Sequence, residues 1–381
     1  MKIPMIMTPG PTQVRENVRL ARAFQTTNPD LDMEFYEFYK ETCERIGRFL
    51  KTENEVRILS GEGILGLEAA CASLTEAGDR VLVIDNGIFG EGFGDFVTMY
   101  GGEPVFFKGD RQREINIEEL KSFLEEDNDF KYATVVHCDT PSGVLNDISA
   151  ICPILKEKGI LTVVDSVAAM GGEDIRVDEW KIDIALGGSQ KCVSAPPGLT
   201  FLSISADAFQ AMETRKTPIA SYYCNLLVWK DYYKNKWFPY TQPISDINGL
   251  RAAIDNILDE GTDKMIERHH RIAKATRNAV TSASLKLYIK EGYASTVTVV
   301  KVPEGIKDEK LRAYMLEQYG VFIAGSFEYL GGKVIRIGHM GENAKADKVS
   351  YTLFALQKAL EHFGFKCKED MVKVFLSEVE K

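Results

Sequence analysis

Between about residues 55 and 205 the chain alternates short apolar runs with segments of helical periodicity, without an internal sequence repeat. The runs are Arg80–Asp85 (RVLVID), Ala133–His137 (ATVVH), Leu161–Asp165 (LTVVD), Ile182–Gly187 (IDIALG) and Leu199–Ile204 (LTFLSI). Each is rich in β-branched and aliphatic residues without strict alternation. That suits strands buried on both faces, as in a parallel sheet. The segments between them, such as Ile64–Ala77 and Ile148–Lys158, carry helical spacing. Strands alternating with helices predict an α/β layered domain with right-handed crossovers. In such sheets ligands sit outside the carboxyl ends of the strands. Gly61–Gly63, Asp139–Gly143, Asp165 and Ser189–Lys191 fall at those ends, so one shared site is expected there.

After about residue 245 the pattern changes. A long helical stretch (Ile247–Ser282) leads to candidate strands at Leu285–Ile289 and Ser295–Val302. A helix at Asp308–Tyr319, a strand at Lys333–Gly338 and a helix at Ala344–His362 follow. The 381 residues thus divide into an arm (1–15), a large α/β domain (16–260) and a smaller α+β domain (261–381). Net charge is −10, from 46 basic and 56 acidic residues, which argues against a nucleic-acid footprint. No apolar stretch reaches the roughly 18 residues of a membrane helix. The Pro-broken start, MKIPMIMTPGPTQ, lacks a signal-peptide core. The seven cysteines form no C-x-x-C pair and the five histidines show no metal-ligand spacing. Reduced thiols, a cytoplasmic location and no metal site are expected.

The chemistry concentrates in Gly187–Gly198, GGSQKCVSAPPG. Lys191 follows a buried strand and a glycine pair and precedes a double-proline turn, so it sits on a rigid loop at a strand end. Desolvation there lowers an amine's pKa and makes it a usable nucleophile toward aldehydes; a solvated surface lysine is the plainer alternative. Asp165, directly after an apolar run, reads either as a helix cap or as the partner of a protonated ring nitrogen.

VDSVAAMGG (Val164–Gly172) and GSQKCVSAPPG (Gly188–Gly198) resemble the class V aminotransferases of fold type I, in the alanine–glyoxylate and serine–pyruvate branch. The resemblance covers most of the chain. It includes TPGPTQV (Thr8–Val14), DNGIFGEGFGD (Asp85–Asp95), DTPSGVLNDI (Asp139–Ile148) and VIRIGHMG (Val334–Gly341). It implies a pyridoxal 5′-phosphate enzyme. Lys191 would form the Schiff base and move the proton, and Asp165 would pair with the pyridinium nitrogen. Val167 would pack on one ring face and Phe89 on the other, where the family often has tryptophan or tyrosine. Thr140 would approach the cofactor's phenolic oxygen, and Gln190 would help bind its phosphate. Gly63 and Ile64, opening a helix, belong to the phosphate cup. Arg336, flanked by Val334, Ile335 and Ile337, would clamp the substrate carboxylate. Thr241, in FPYTQP, would reach the neighbouring subunit's phosphate, which implies a homodimer.

Two positions depart from that pattern. Glu62 stands in the cup where a neutral small residue is usual. It either turns outward as an acidic residue of the helix N-terminus or displaces the phosphate. GEGILGLEAA and RIGHMG resemble pyridoxamine–pyruvate aminotransferase, a class V relative that uses unphosphorylated pyridoxamine as a substrate and also carries a glutamate in the cup. Phe327 departs from that relative, which has a second arginine at the matching position. A cysteine desulfurase would need a nucleophilic C-terminal cysteine and a histidine where Gln190 stands. A cofactor-binding protein without activity is at odds with the intact set Asp165, Lys191 and Arg336. The resemblance therefore implies amino transfer from a small amino acid, alanine or serine, to glyoxylate or pyruvate, with pyridoxamine as the alternative donor. No second basic group is evident near Arg336, so the acceptor is expected to be compact.

Overall fold

The computed structural model describes residues 4–380. Its centre is a seven-stranded sheet built from β1 (Glu55–Ser60), β2 (Arg80–Asp85), β3 (Glu103–Lys108), β4 (Tyr132–Val136), β5 (Leu161–Asp165), β6 (Ile184–Gly188) and β7 (Leu199–Ile204). The strands lie in the order β1-β7-β6-β5-β4-β2-β3. β4, β6 and β7 are buried at every position, as expected of apolar runs covered on both faces.

The neighbours from β3 through to β6 pair in parallel, whereas β7 runs antiparallel to both β6 and β1. The run of β7, without strict polar alternation, suggests a strand of a parallel sheet. Ser189–Gly198, which joins β6 to β7, holds two prolines and no helix, and a parallel return needs a longer crossover. The chain therefore turns straight back.

The expected long helix over 247–282 is two helices, Ile244–Glu260 and Thr262–Ser282, separated by Gly261 at φ 88°. That left-handed geometry is open to glycine and interrupts the helix. Leu285–Ile289 makes a single bridge, Leu287 to Val300, in place of the expected strand. Beside it β8 (Val297–Lys301) and β9 (Val334–Gly338) form an antiparallel ladder that sets Arg336 opposite Val299. The helices Asp308–Tyr319 and Ala346–His362 lie within a residue or two of the expected bounds.

Two large apolar clusters hold these layers together. One fills both sides of the seven-stranded sheet; the other gathers Ile272, Ile335, Leu353 and Phe375 behind β8 and β9. A small third cluster joins Cys138, Ala168 and Ala169, from loops of the large sheet, to Val297, Val299 and Val334 of the ladder. It fixes the strand that carries Arg336 against the carboxyl edge of the large sheet. The N-terminal arm crosses the same seam: Met5–Ile6 pairs with Val321–Phe322, and Met7 is fully buried. Among the described residues no helix is long and apolar enough to cross a membrane.

Candidate active site

A cavity of about 230 Å³ opens where β1, β2, β4, β5 and β6 end. Lys191 and Gln190 come from the loop after β6, Asp165 and Val167 from the end of β5, and Thr140 from the turn beyond β4. Glu62, Gly63 and Ile64 open the helix after β1, and Phe89 opens the helix after β2. Residues far apart in sequence converge because parallel strands place all their carboxyl ends on one edge. Leu67, Cys138 and Ala168 complete the wall and were not anticipated; Cys138 is a buried thiol one residue before Asp139.

Asp165 is 6% exposed, and its Oδ1 accepts from the Val167 N–H at 2.9 Å. Burial raises its pKa to about 6, opposed by that hydrogen bond and by the Lys191 charge. Lys191 is shifted in the opposite sense. Burial and then the Arg336 guanidinium lower its amine below the ordinary lysine value. Its Nζ donates to the Pro9 carbonyl at 2.7 Å. A buried carboxylate short of cationic partners beside an amine with a depressed pKa is a functional arrangement by physical criteria.

Arg336 lies behind the Thr140 side of the cavity. Its Nη1 donates to the Thr140 carbonyl at 3.3 Å and its Nε to the Gly325 carbonyl. Burial lowers its pKa to about 10, opposed by the negative charge of Asp139. Asp139 is fully buried and had not been assigned a role of its own. It accepts from the Phe89 N–H at 3.1 Å, and from the Ser142 hydroxyl at 2.6 Å and Ser142 N–H at 3.1 Å. One carboxylate thus fixes the backbone at Phe89, the turn holding Thr140 and the charge environment of Arg336.

Phe327, 43% exposed, stands edge-on to Phe89 at 6.4 Å, with the Arg336 guanidinium 5.7 Å from its ring centre. A second basic group does exist here, contrary to the sequence reading. Arg312 is near enough to depress Arg336, and its guanidinium is paired with Asp308 at 2.9 Å.

At the cup, Gly63 packs on Val167, where a Cβ would stand 3.0 Å from a methyl group. Glu62 is the N-cap of the helix Gly63–Leu74. Its Oε1 accepts from the Ile64 N–H at 3.2 Å and its Oε2 from Gln190 Nε2 at 3.1 Å. Two donors that would face a phosphate are therefore engaged by a carboxylate. The Gln190 Oε1 is buried and unpartnered. The ring end of the cavity fits a protonated pyridine, because Asp165 is a buried carboxylate awaiting a cation. The cup fits a phosphate only once Glu62, an exposed residue, rotates outward. Thr241 is not brought to the cavity of its own chain: it is exposed and donates to Asp30 at 3.2 Å.

The family profile of class-V aminotransferases matches residues 16–333. An uncharacterized aminotransferase of Methanocaldococcus jannaschii is 35% identical over 372 residues, 97% of this chain and 96% of that protein. The pyridoxamine–pyruvate transaminase of Mesorhizobium japonicum is 34% identical over 364 residues, 94% of this chain and 92% of that one. The crystal structure of ureidoglycine–glyoxylate aminotransferase from Bacillus subtilis matches with a TM-score of 0.95 at 29% identity, over 100% of this chain and 99% of that one. Fold and site together define a fold type I transaminase. The chain belongs to the class V aminotransferases, a pyridoxal phosphate-dependent family.

Proposed function

We propose that this enzyme moves an amino group from a small amino acid of the alanine or serine type to glyoxylate or pyruvate, with Lys191 as nucleophile and proton carrier. The reading is carried by the joint position of Lys191 and Asp165 in one cavity, each shifted toward its neutral form. When bound, the cofactor supplies an aldehyde that exchanges amines and a protonated ring that draws electrons from the reacting carbon.

The chain's own groups do the rest. Burial lowers the Lys191 amine below the ordinary lysine value and so favours its neutral form, which attacks a carbonyl carbon and later takes up and returns a proton. Asp165 holds the proton of the ring nitrogen, Val167 and Phe89 fix the ring between them, and Thr140 and Gln190 fix its edge. Arg336 grips the substrate carboxylate. Arg312, a second cation beside Arg336, is already paired with Asp308, which favours a compact acceptor.

One observation favours a second reading, in which unphosphorylated pyridoxamine is the donor: the Glu62 carboxylate lies on the donors of the cup. The two readings divide in one experiment. Alanine with glyoxylate yields pyruvate under the first. Pyridoxamine with pyruvate yields pyridoxal and alanine, in excess over enzyme, under the second. Neither product forming would end both.

The proposal includes a homodimer in which Thr241 serves the partner's cavity. It is supported by the apolar surface around Thr241, where Leu31 is 74%, Tyr222 53% and Trp237 49% exposed. Sedimentation as a monomer at micromolar concentration would refute it. The division into arm, large domain and small domain at residues 15 and 260 belongs to the same proposal, supported by the two separate cores. So does a cytoplasmic location, supported by seven unpaired thiols.

A further inference from the structure

The arm carries the motif TPGPTQV outside the cavity lining. It passes directly over the nucleophile, and it is pinned on both sides of the crossing. Upstream, the Gly338 N–H donates to the Met7 carbonyl at 2.8 Å, and the Met7 N–H to the Phe322 carbonyl at 2.8 Å. Downstream, the Thr12 N–H donates to the Gln190 carbonyl at 3.0 Å, and the Thr12 hydroxyl to the Lys191 carbonyl at 3.0 Å. Between these anchors the Pro9 carbonyl accepts from Lys191 Nζ at 2.7 Å. The next residue, Gly10, has φ +85°, and a Cβ there would lie 2.8 Å from Nζ and closer still to Cδ. The backbone therefore touches the lysine only because residue 10 has no side chain.

From this geometry we propose that the Pro9 carbonyl is the acceptor that holds the free Lys191 amine and turns its lone pair into the cavity. The proposal rests on Lys191 being the nucleophile. A carbonyl oxygen can only accept, so one N–H of the amine is committed to it. The remaining N–H and the lone pair of the tetrahedral nitrogen then point away from the arm, on the side where the cavity lies. Pro9 and Gly10 are positioning residues: they touch no substrate and act through Lys191. Arg336 lies two residues before Gly338, so the same arm also ties the nucleophile to the strand that grips the substrate.

The test compares Gly10→Ala with Gly78→Ala. Gly78 has φ +83° and nothing within 4 Å of an added Cβ, so it reports backbone strain alone. Full-length protein freed of bound vitamer is incubated with pyridoxal. The Lys191 amine condenses with the aldehyde, forming C=N and releasing water, and borohydride then delivers hydride to that carbon to give a stable secondary amine. The rate is read as labelled Lys191 peptide by mass spectrometry. Labelling of Gly10→Ala is expected to slow by at least about tenfold, since a misplacement near an ångström can cost about a hundredfold, with Gly78→Ala at the wild-type rate.

Equal labelling of wild type and Gly10→Ala would overturn the proposal and leave Lys191 as nucleophile. A wild-type Lys191 that takes no label would overturn the reading of Lys191 itself. If Gly10→Ala does not fold, Gly10→Ala/Lys191→Ala is expected to fold, because the colliding side chain is gone. A double variant as unstable as the single one would refute the contact.

Discussion

Asp165→Asn is expected to stabilise the ligand-free protein while weakening its hold on the vitamer ring. The side chain is 6% exposed, and burial moves its pKa from 3.8 to about 6. A difference of about two units corresponds to about 3 kcal/mol of charge-burial cost at neutral pH. The sign follows from the direction. A carboxyl whose pKa is raised by folding carries no penalty below its unfolded value, and the penalty develops as pH rises from about 4 through about 6. Asparagine keeps an oxygen for the Val167 N–H and removes the charge, but its amide N–H groups need acceptors, which costs on the order of 1 kcal/mol. A net gain of about 2 kcal/mol remains. Urea unfolding of both proteins at pH 7.5 and pH 4 measures it, with the variant more stable at pH 7.5 and the gap closing at pH 4. A variant less stable at pH 7.5, or a gap independent of pH, would refute the reasoning.

Two further substitutions separate the ends of the cavity. Glu62→Ala removes the carboxylate from the cup and is expected to raise affinity for pyridoxal phosphate relative to pyridoxal. One charge pair near 4 Å is worth about 1 kcal/mol in water, so the ratio of dissociation constants should shift about fivefold or more. Loss of the helix cap should also cost about 1 kcal/mol in unfolding free energy. Arg336→Lys replaces a planar fork with a point charge, and the KM for the 2-oxo acid should rise roughly tenfold or more, as expected for losing one charge-assisted hydrogen bond. An unchanged KM would remove Arg336 from the substrate site.

The sequence made the central strands legible because β2, β4, β5, β6 and β7 are largely aliphatic runs with no charged residue in their interiors. The two edge strands were harder to read. Arg57 stands in the middle of β1, its guanidinium buried against the Trp229 and Val56 carbonyls, and Pro104 stands in β3, where only an edge tolerates it. The direction of β7 was set by the connection before it, which apolar composition does not report. At the site, most residues named from motifs fall together in the cavity, with Arg336 behind its Thr140 wall and Thr241 outside it. Asp139 carried the same signal as Asp165, a carboxylate just beyond a buried strand, and its role as a hydrogen-bond hub follows from what packs around it. The Pro9 carbonyl could not be read at all, since a backbone acceptor has no residue-type signature; only the glycine beside it hinted at a close approach.

The central claim is that Lys191, opposed by Asp165, is the amine through which this chain engages a pyridoxal-type aldehyde. Its most direct test is an absorbance titration of wild type and Lys191→Ala with pyridoxal phosphate and, separately, with pyridoxal. The account predicts a new band near ~420 nm in the wild type and none in the variant, since the chromophore requires the lysine amine. The vitamer that gives the tighter curve decides where the Glu62 carboxylate points in the working enzyme. A wild type without the band, or a variant that retains it, would contradict the account.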